Sequence, residues 1–356
     1  MPTFGPAQMS ALLATTLDYH IRGNAHAANI KNKPLLNDLW NNRKTFSGGV
    51  EFITFPYKEF AGGNFSGIDT GNDDLEFVDL NNDTRLAYPY FEHFTGLKMT
   101  RKQLRRNGIE IGTKNVKGAK KATQAEKVQL ANLLESKYTD FSETWSAGFN
   151  ALFWGDGSAD PLGSYGIRTF IVDDPDAPLT VGQLSNTDYP TWKNFAESPT
   201  LSANLDEQEL IAVLEELIQQ LSLHASGRVM KHKGYLDSIS AKRLRAEIRS
   251  KNGPNRDTIR EVRDEGTQSS FIINGVRFEV DPSMDEFGLT RRIYIVDHAS
   301  IFLMMQTGDE KRVHDPESPH NKLAFYKGVL SVGNLVADRR NTSAVVIWAD
   351  EVPSGT

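Results

Sequence analysis

The chain has 356 residues, no cysteine, a formal charge of −6, and 39% hydrophobic against 24% charged residues. This is the composition of an ordinary folded protein long enough for one large core or two lobes, and it excludes disulfides and thiolate metal sites. A net negative charge argues against tight sequence-specific nucleic-acid binding, and with no 18-residue apolar run and no basic-then-apolar leader the expectation is a cytoplasmic product without a membrane partner.

Met1 to Ser47 reads as an arm. A short helical pattern at Ala7 to Leu17 precedes the polar stretch NAHAANIKNKPLLNDLWNNRKTFSGG, which has too few periodic apolar positions to bury a core of its own. Val50 to Tyr57 (VEFITFPY) has strand character, and Pro56 puts it at an edge. From Lys58 to Tyr88 the chain is rich in Gly, Asn and Asp, and a second extended run follows at Arg85 to Met99. Two extended runs around a polar middle predict a long hairpin, with arms of ~13 residues reaching roughly 43 Å if regular.

Charge is unevenly placed along this part of the chain. Glu59 to Thr84 holds seven acids (Glu59, Asp69, Asp73, Asp74, Glu76, Asp79, Asp83) and no Lys or Arg. Lys98 to Lys121 then holds nine bases (Lys98, Arg101, Lys102, Arg105, Arg106, Lys114, Lys117, Lys120, Lys121) against the single Glu110. A basic run of this kind is usually a solvated face. The abrupt reversal of sign makes Asp69, Asp73, Asp74, Glu76, Asp79 and Asp83 on one side, and Arg101 to Lys121 on the other, candidates for contact between neighbouring subunits.

Thr123 to Trp154 predicts one long helix. Its large apolar residues Leu130, Leu134, Tyr138, Phe141, Trp145, Phe149 and Leu152 form one stripe, opposite Glu126, Lys127, Glu135, Asp140 and Glu143. Thr123 with Glu126 makes a capping box, Gly155 and Gly157 mark the stop, and about 31 residues give a rod of roughly 46 Å. Tyr165 to Asp173 (YGIRTFIVD) reads as a strand. A second unit begins near Ser198, where Asn204 and Glu207 cap a helix with the stripe Leu210, Val213, Leu214, Leu217, Ile218 and Leu221. A basic helix follows at Ser238 to Ser250, then a charged loop at Lys251 to Ser270. Strands are expected at Phe271 to Val280, Arg292 to Val296, Ser300 to Met305, Phe325 to Val336 and Ser343 to Ala349.

Catalytic chemistry is not apparent. The eight histidines lack metal-ligand spacing, and neither a nucleophile elbow nor a phosphate-cradling glycine loop is present. The acidic WGDGSADP at Trp154 to Pro161 is better read as the stop of the long helix, and His314, Asp315 and His320 as loop residues. No cofactor is expected.

The order of elements, together with ALFWGDGS (Ala151 to Ser158), SYGIRTFIVDDP (Ser164 to Pro175), PLTVGQL (Pro178 to Leu184), YPTWKNF (Tyr189 to Phe195), INGVRFEVDPSM (Ile273 to Met284) and AFYKGVLSVGNLVADRR (Ala324 to Arg340), resembles the Hong Kong 97 type of major capsid protein of tailed bacteriophages. The resemblance runs from about Val50 to Val346. It departs from one subgroup at Gln183, where a second glycine is common, and in the charged insertion Lys251 to Ser270. It implies an α+β capsid fold with an N-terminal arm (1–48), an extended loop hairpin with flanking strands (49–97), a peripheral domain built on the long spine helix (98–197), an axial α/β domain (198–324) and returning strands with a tail (325–356).

The resemblance further implies a shell subunit that self-assembles as hexamers and pentamers around double-stranded DNA in the host cytoplasm, touching the DNA without sequence specificity. Expected partners are other copies of the chain, a portal, a decoration protein as an optional addition and, because residues 1–48 are too short to hold a scaffolding segment, a separate scaffolding protein. The loop segment Glu59 to Thr84 has no lysine, so the covalent cross-linking used by some members is not expected. An encapsulin-like compartment of the same fold is the first alternative reading. An enzyme with an unrecognised acid/base site is the second, and a nucleic-acid module using Lys98 to Lys121 a third.

Overall fold

A computed structural model describes residues 3–4, 32–58, 84–100, 102, 110–111, 140–157, 164–202, 205–224, 231–250, 259–262, 270–314 and 324–351. Helices and sheets are both present, and two sheets organise them. The larger is seven-stranded and mixed, in the order Ile259–Val262, Ser270–Ile273, Val276–Val280, His232–Leu236, Arg292–Asp297, Ala344–Ile347, Phe195–Glu197. Its central strands are buried on both faces because side chains alternate across a strand. Ile293 and Ile295 face one hydrophobic cluster, while Tyr294 and Val296 face the other. The sheet is therefore the partition between two cores.

On one side of the partition, helix Glu209–Leu223 buries Leu210, Ile211, Leu214, Leu217, Ile218 and Leu221, the predicted stripe with Ile211 added and Val213 only partly buried. Helix Ser238–Ser250 lies beside it with the predicted bounds. The expected cap is corrected. Gln208, in a left-handed conformation, precedes Glu209, and Leu205–Glu207 is a short 3-10 turn. The Ile211 amide at the first turn instead donates to the fully buried Glu247 carboxylate of the neighbouring helix at 3.2 Å. Asn204 lies outside the described residues. Long-range packing supplies the acceptor that a local box would have supplied.

On the other side lies the spine, of which residues 140–154 are described as helix. Phe141, Trp145, Phe149 and Phe153 are buried, whereas Leu152 is only partly so. The stripe thus continues by another step of four at its end. Trp145 meets Trp40 edge to face, with ring centroids 5.0 Å apart, and Trp40 belongs to helix Pro34–Asn41.

That helix overturns part of the arm reading. Leu35, Leu36 and Leu39 are fully buried, and Lys44–Phe46 adds a parallel strand beside Ile301–Gln306. The segment is too short to bury a core alone but contributes to one formed by distant residues, which local periodicity does not register. Of residues 1–31 only Thr3–Phe4 is described, as a strand parallel to Glu110–Ile111.

The second sheet is built on the long strand Ala324–Ala337. Arg312–His314, Ile301–Gln306 and Phe91–Thr100 all pair with it, and Lys44–Phe46 extends it. Two further expectations are corrected. Ile167–Phe170, read as part of a strand, is a single helical turn that buries Ile167 and Phe170 at i, i+3 spacing. Its entry packs so closely that a Cβ on Gly166 would collide with the carbonyl oxygens of Gly155 and Leu152. Within Lys251 to Ser270, read as a loop, Ile259–Val262 forms the outer strand of the larger sheet. Its charged Arg260 and Glu261 suit an edge strand.

Polar groups knit these parts together. Asp281 caps helix Pro282–Glu286 through the Ser283 amide at 2.8 Å and accepts from Trp154 Nε1 at 3.2 Å, and burial raises its pKa. Fully buried Tyr235 donates to Asp38 Oδ2 at 2.7 Å. With its one proton used there, the same hydroxyl accepts from His298 Nε2 at 2.7 Å. Lys233 bridges Asp38 at 2.7 Å and Glu279 at 2.8 Å. Helix Pro34–Asn41 is thereby pinned to the partition sheet by charge as well as by leucines.

Candidate functional site

The predicted loop has a well-built root. Ile53–Tyr57 pairs antiparallel with Thr84–Tyr88, from Ile53 opposite Tyr88 to Tyr57 opposite Thr84. Pro56 is accommodated because, among the described residues, this sheet has two strands, each an edge on one side. The second extended run is not one arm of a continuous hairpin, however. It breaks at Pro89, and Phe91–Thr100 turns away to pair with Ala324–Ala337. Five residue positions on each side therefore form the described hairpin, not the ~13 expected from alternation alone.

Aromatic side chains anchor that root. The Tyr88 hydroxyl donates to the Ala337 carbonyl at 2.7 Å, and burial raises its pKa above the usual tyrosine value. Tyr57 packs edge-on against Tyr189 and Trp192, with centroids 5.8 and 5.3 Å away, and its hydroxyl shares a 2.7 Å hydrogen bond with Thr191. The turn Gly182-Gln183 presses on Tyr88, whose ring would lie 2.8 Å from a Cβ on Gly182, while the Ala87 amide donates to Gly182 O at 3.1 Å. Both turn residues have positive φ, +63° and +69°. Left-handed backbone favours glycine, which stands at 182 but not at 183.

Several stretches behind the family resemblance prove to be nodes of long-range hydrogen bonding. Trp192 Nε1 donates to Val181 O, and Asn194 ties Val172 through both its amide and its carbonyl. Arg340, almost fully buried, donates to Phe170 O, Trp192 O and Asn194 Oδ1; burial holds its pKa down to about 10. Asn334 donates to Pro89 O at 2.8 Å and accepts from the Tyr165 amide at 3.0 Å, clamping the corner where the loop root meets the second sheet. Local sequence pattern does not reveal these tasks, because apart from the bond between Trp192 and Val181 each contact spans more than 20 positions.

Apolar side chains lie exposed near the root. Val50 is 44% exposed, Phe52 38% and Phe94 58%. The Tyr90 hydroxyl reaches Val50 O at 2.9 Å, which brings the first of these beside the start of Phe91–Thr100. The Phe94 ring lies across Gly96 and Gly328, where a Cβ on either would meet it. A cleft of about 520 Å³ opens beside the root, lined by Tyr57, Lys58, Trp192, Leu223, His224 and Arg339 among others.

Of the charged set proposed from sequence, Lys102 is described, helical and exposed. Asp69, Asp73, Asp74, Glu76, Asp79, Asp83, Arg101, Arg105, Arg106, Lys114, Lys117, Lys120 and Lys121 lie outside the described residues. Among the described residues no group of three His, Asp or Glu is placed to hold a metal ion, and no helix is long and apolar enough to cross a membrane.

The fold is similar to that of the Cyanophage A-1(L) capsid asymmetric unit, with a TM-score of 0.57 and 13% identity, covering 89% of this chain and 93% of that one. The chain has a phage capsid fold. The capsid of the native GTA particle is also similar, with a TM-score of 0.52 and 12% identity over 90% of this chain and 94% of that one. No family model matches the capsid-fold chain, and no curated protein matches it in sequence. At such identities the likeness lives in topology and packing, not in shared residues.

Proposed function

We propose that this chain is the major capsid protein of a tailed phage, assembling as hexamers and pentamers into an icosahedral shell around double-stranded DNA. The observation that carries the reading is the capsid fold, matched over about nine-tenths of both chains in the cyanophage comparison. The loop root supports it. An aromatic anchor holds the two paired strands that flank stretch 59–83, exposed Val50 and Phe52 precede the first of them, and exposed Phe94 stands on the strand that follows the second. Such an arrangement suits contact with neighbouring copies.

In this reading the spine side of the partition is the peripheral domain, and the side carrying Glu209–Leu223 and Ser238–Ser250 is the axial domain. A portal, a separate scaffolding protein and, as an optional addition, a decoration protein complete the particle, and the chain acts as a building block without catalysis. The encapsulin-like alternative is not favoured by the capsid likenesses. Electron microscopy and sedimentation of the purified protein, with scaffold supplied, test the reading. Closed shells or capsomers are expected, and a protein that stays monomeric at high concentration under those conditions overturns it.

The charge asymmetry supplies a finer test. The acidic stretch 59–83 is proposed to dock on the basic stretch 98–121 of an adjacent copy. Each exposed ion pair is worth only about 0 to 1 kcal/mol, but the contact repeats around every capsomer and is screened by salt. Reversing Arg101, Arg105 and Arg106 to Glu should leave the subunit folded by circular dichroism and block assembly. Reversal at Asp73, Asp74 and Asp79 should partly restore it. Unchanged assembly of the triple Glu variant at low and high salt would reduce the pattern to a solvated face.

A further inference from the structure

Two surface features at opposite ends of the partition sheet complement each other. The cleft beside the loop root has buried Tyr57 and Trp192 in its wall, exposed Leu223 at its edge, and the cations of Lys58 and Arg339, with Asp338 as its one acid among the described residues. It lies at the end of the sheet where strand His232–Leu236 begins. There His232 Nε2 donates to Thr342 O at 2.9 Å, and Thr342 follows Asn341 of the cleft wall.

The other end carries a tip. Where the same strand stops, Leu236 O accepts from the Asp281 amide at 2.9 Å, and Asp281 caps the short helix Pro282–Glu286. Exposed Phe287 comes next, directly after the exposed acids Asp285 and Glu286. A lone exposed ring needs no explanation in itself. This one is held firmly. The Phe287 amide donates to Ser283 O at 3.0 Å and the Leu289 amide to Met284 O at 2.8 Å, while the Met284 and Leu289 side chains are buried. Asp285 Oδ1 accepts from the Ser238 amide and hydroxyl at 3.3 and 3.1 Å, tying the tip to the start of helix Ser238–Ser250. Gly288, with φ +70°, makes the turn, and a Cβ there would stand in open space.

Size, polarity and charge match. The cleft, at about 520 Å³, is within the roughly 300 to 1,000 Å³ of pockets that take a whole small ligand, so a benzyl side chain enters with room for its neighbours. The ring would leave water for Tyr57, Trp192 and Leu223, and the two carboxylates would come opposite Lys58 and Arg339. A rigid aromatic anchor in a pocket is the kind of contact that dominates binding between proteins. Four strand steps of about 3.3 Å separate His232 from Leu236 and hold the tip and the cleft of one subunit apart. A subunit therefore does not fill its own cleft, and a second copy can.

We infer that Phe287, flanked by Asp285 and Glu286, is the knob of a head-to-tail contact between copies and inserts into the cleft of Tyr57, Trp192 and Leu223 on the next copy. The contact rests on the shell reading and deepens it, because a head-to-tail contact whose rotation closes makes a ring, the form that hexamers and pentamers require. It uses none of the charged residues of stretches 59–83 and 98–121.

The chain has no cysteine, so introduced thiols report on this contact alone. Leu223→Cys and Glu286→Cys are combined in the full chain, treated with a short bis-maleimide with and without scaffold, and resolved on denaturing gels. The double variant should give a ladder extending beyond dimer, and each single variant should stay monomeric. Adding Phe287→Ala should abolish the ladder with an unchanged circular dichroism spectrum, whereas Phe287→Tyr should keep it. Shells without a ladder overturn the contact and leave the shell reading standing. A ladder that stops at dimer, cross-links in a single variant, or a ladder that survives Phe287→Ala also overturns the contact. A ladder in a protein that never closes into shells keeps the contact and sinks the shell reading, and the absence of both sinks both.

Discussion

The two cores on either side of the partition sheet are assembled differently. The core under helices Glu209–Leu223 and Ser238–Ser250 is mostly aliphatic, and all its buried residues lie between Leu201 and Trp348. The core under the spine is dense in Trp, Tyr and Phe, and its residues run from Leu35 to Val345. The first core is joined largely by regular helix and strand packing. The second depends on single residues that reach far along the chain, among them Tyr88 to Ala337 and Arg340 to Phe170. A core made of distant pieces loses more entropy on closing and depends more on each anchor.

The largest expected effect comes from removing such an anchor. Trp145→Ala deletes a buried indole that meets Trp40, Phe149 and the Lys311 ammonium. It should cost about 3 to 5 kcal/mol in urea unfolding and yield poorly soluble subunits. Normal folding with a defect confined to assembly would instead make the spine stripe an intersubunit surface and erase the contrast between the cores.

A second probe uses acidity. His298 is buried and held down to about 4, chiefly by desolvation, while Asp38 and Asp297 pull its pKa up and Lys233 and Lys231 push it down. Between about 6.5 and 4 the unfolded chain takes up a proton that the folded chain refuses. Stability linked to this group is therefore complete above about 6.5 and lost as pH falls, by about 3 kcal/mol in total. Asp281 works in the opposite sense, because burial raises its pKa and the folded form gains relative stability as the pH falls through its titration. The clean measurement is the difference between wild type and His298→Gln across pH 7 to 4, and an identical slope in both would place the acid sensitivity elsewhere.

The smallest expected effect has the opposite sign. Gln183 holds a left-handed conformation with φ +69° beside the loop root. Gln183→Gly should relieve it and raise stability by up to about 1 kcal/mol, read as a shift in thermal midpoint. A loss of stability would mean that the glutamine side chain stabilises the turn by more than its conformation costs.

The contrast between the cores also explains what could be read from the sequence. Helix Ser238–Ser250 was legible to the residue, and the stripe of Glu209–Leu223 nearly so, because each carries its own period. The same holds for the strand that ends at Tyr57 and for the long strand Ala324–Ala337. Helix Pro34–Asn41 was not legible as core. Leu35, Leu36, Leu39 and Trp40 sit among Asn and Lys, and their partners are more than a hundred positions away. Ile167–Phe170 misled for a related reason, its β-branched composition being outweighed by tight packing around Gly166. At the candidate site the paired root could be inferred from alternation, whereas its aromatic anchors and the break at Pro89 required knowing which strand lies next door.

That break carries a mechanical consequence. Only Pro89 and Tyr90 separate the strand that roots the acidic stretch from the strand that pairs with Ala324–Ala337, and Asn334 holds the corner. Tension applied at Thr84 is passed within a few residues into Phe91–Thr100, where pairing along the whole strand resists sliding far better than unzipping. The root behaves as the short end of a lever whose pivot is the Asn334 clamp, so a tug on the loop loads the sheet behind the spine and not merely the surface around it.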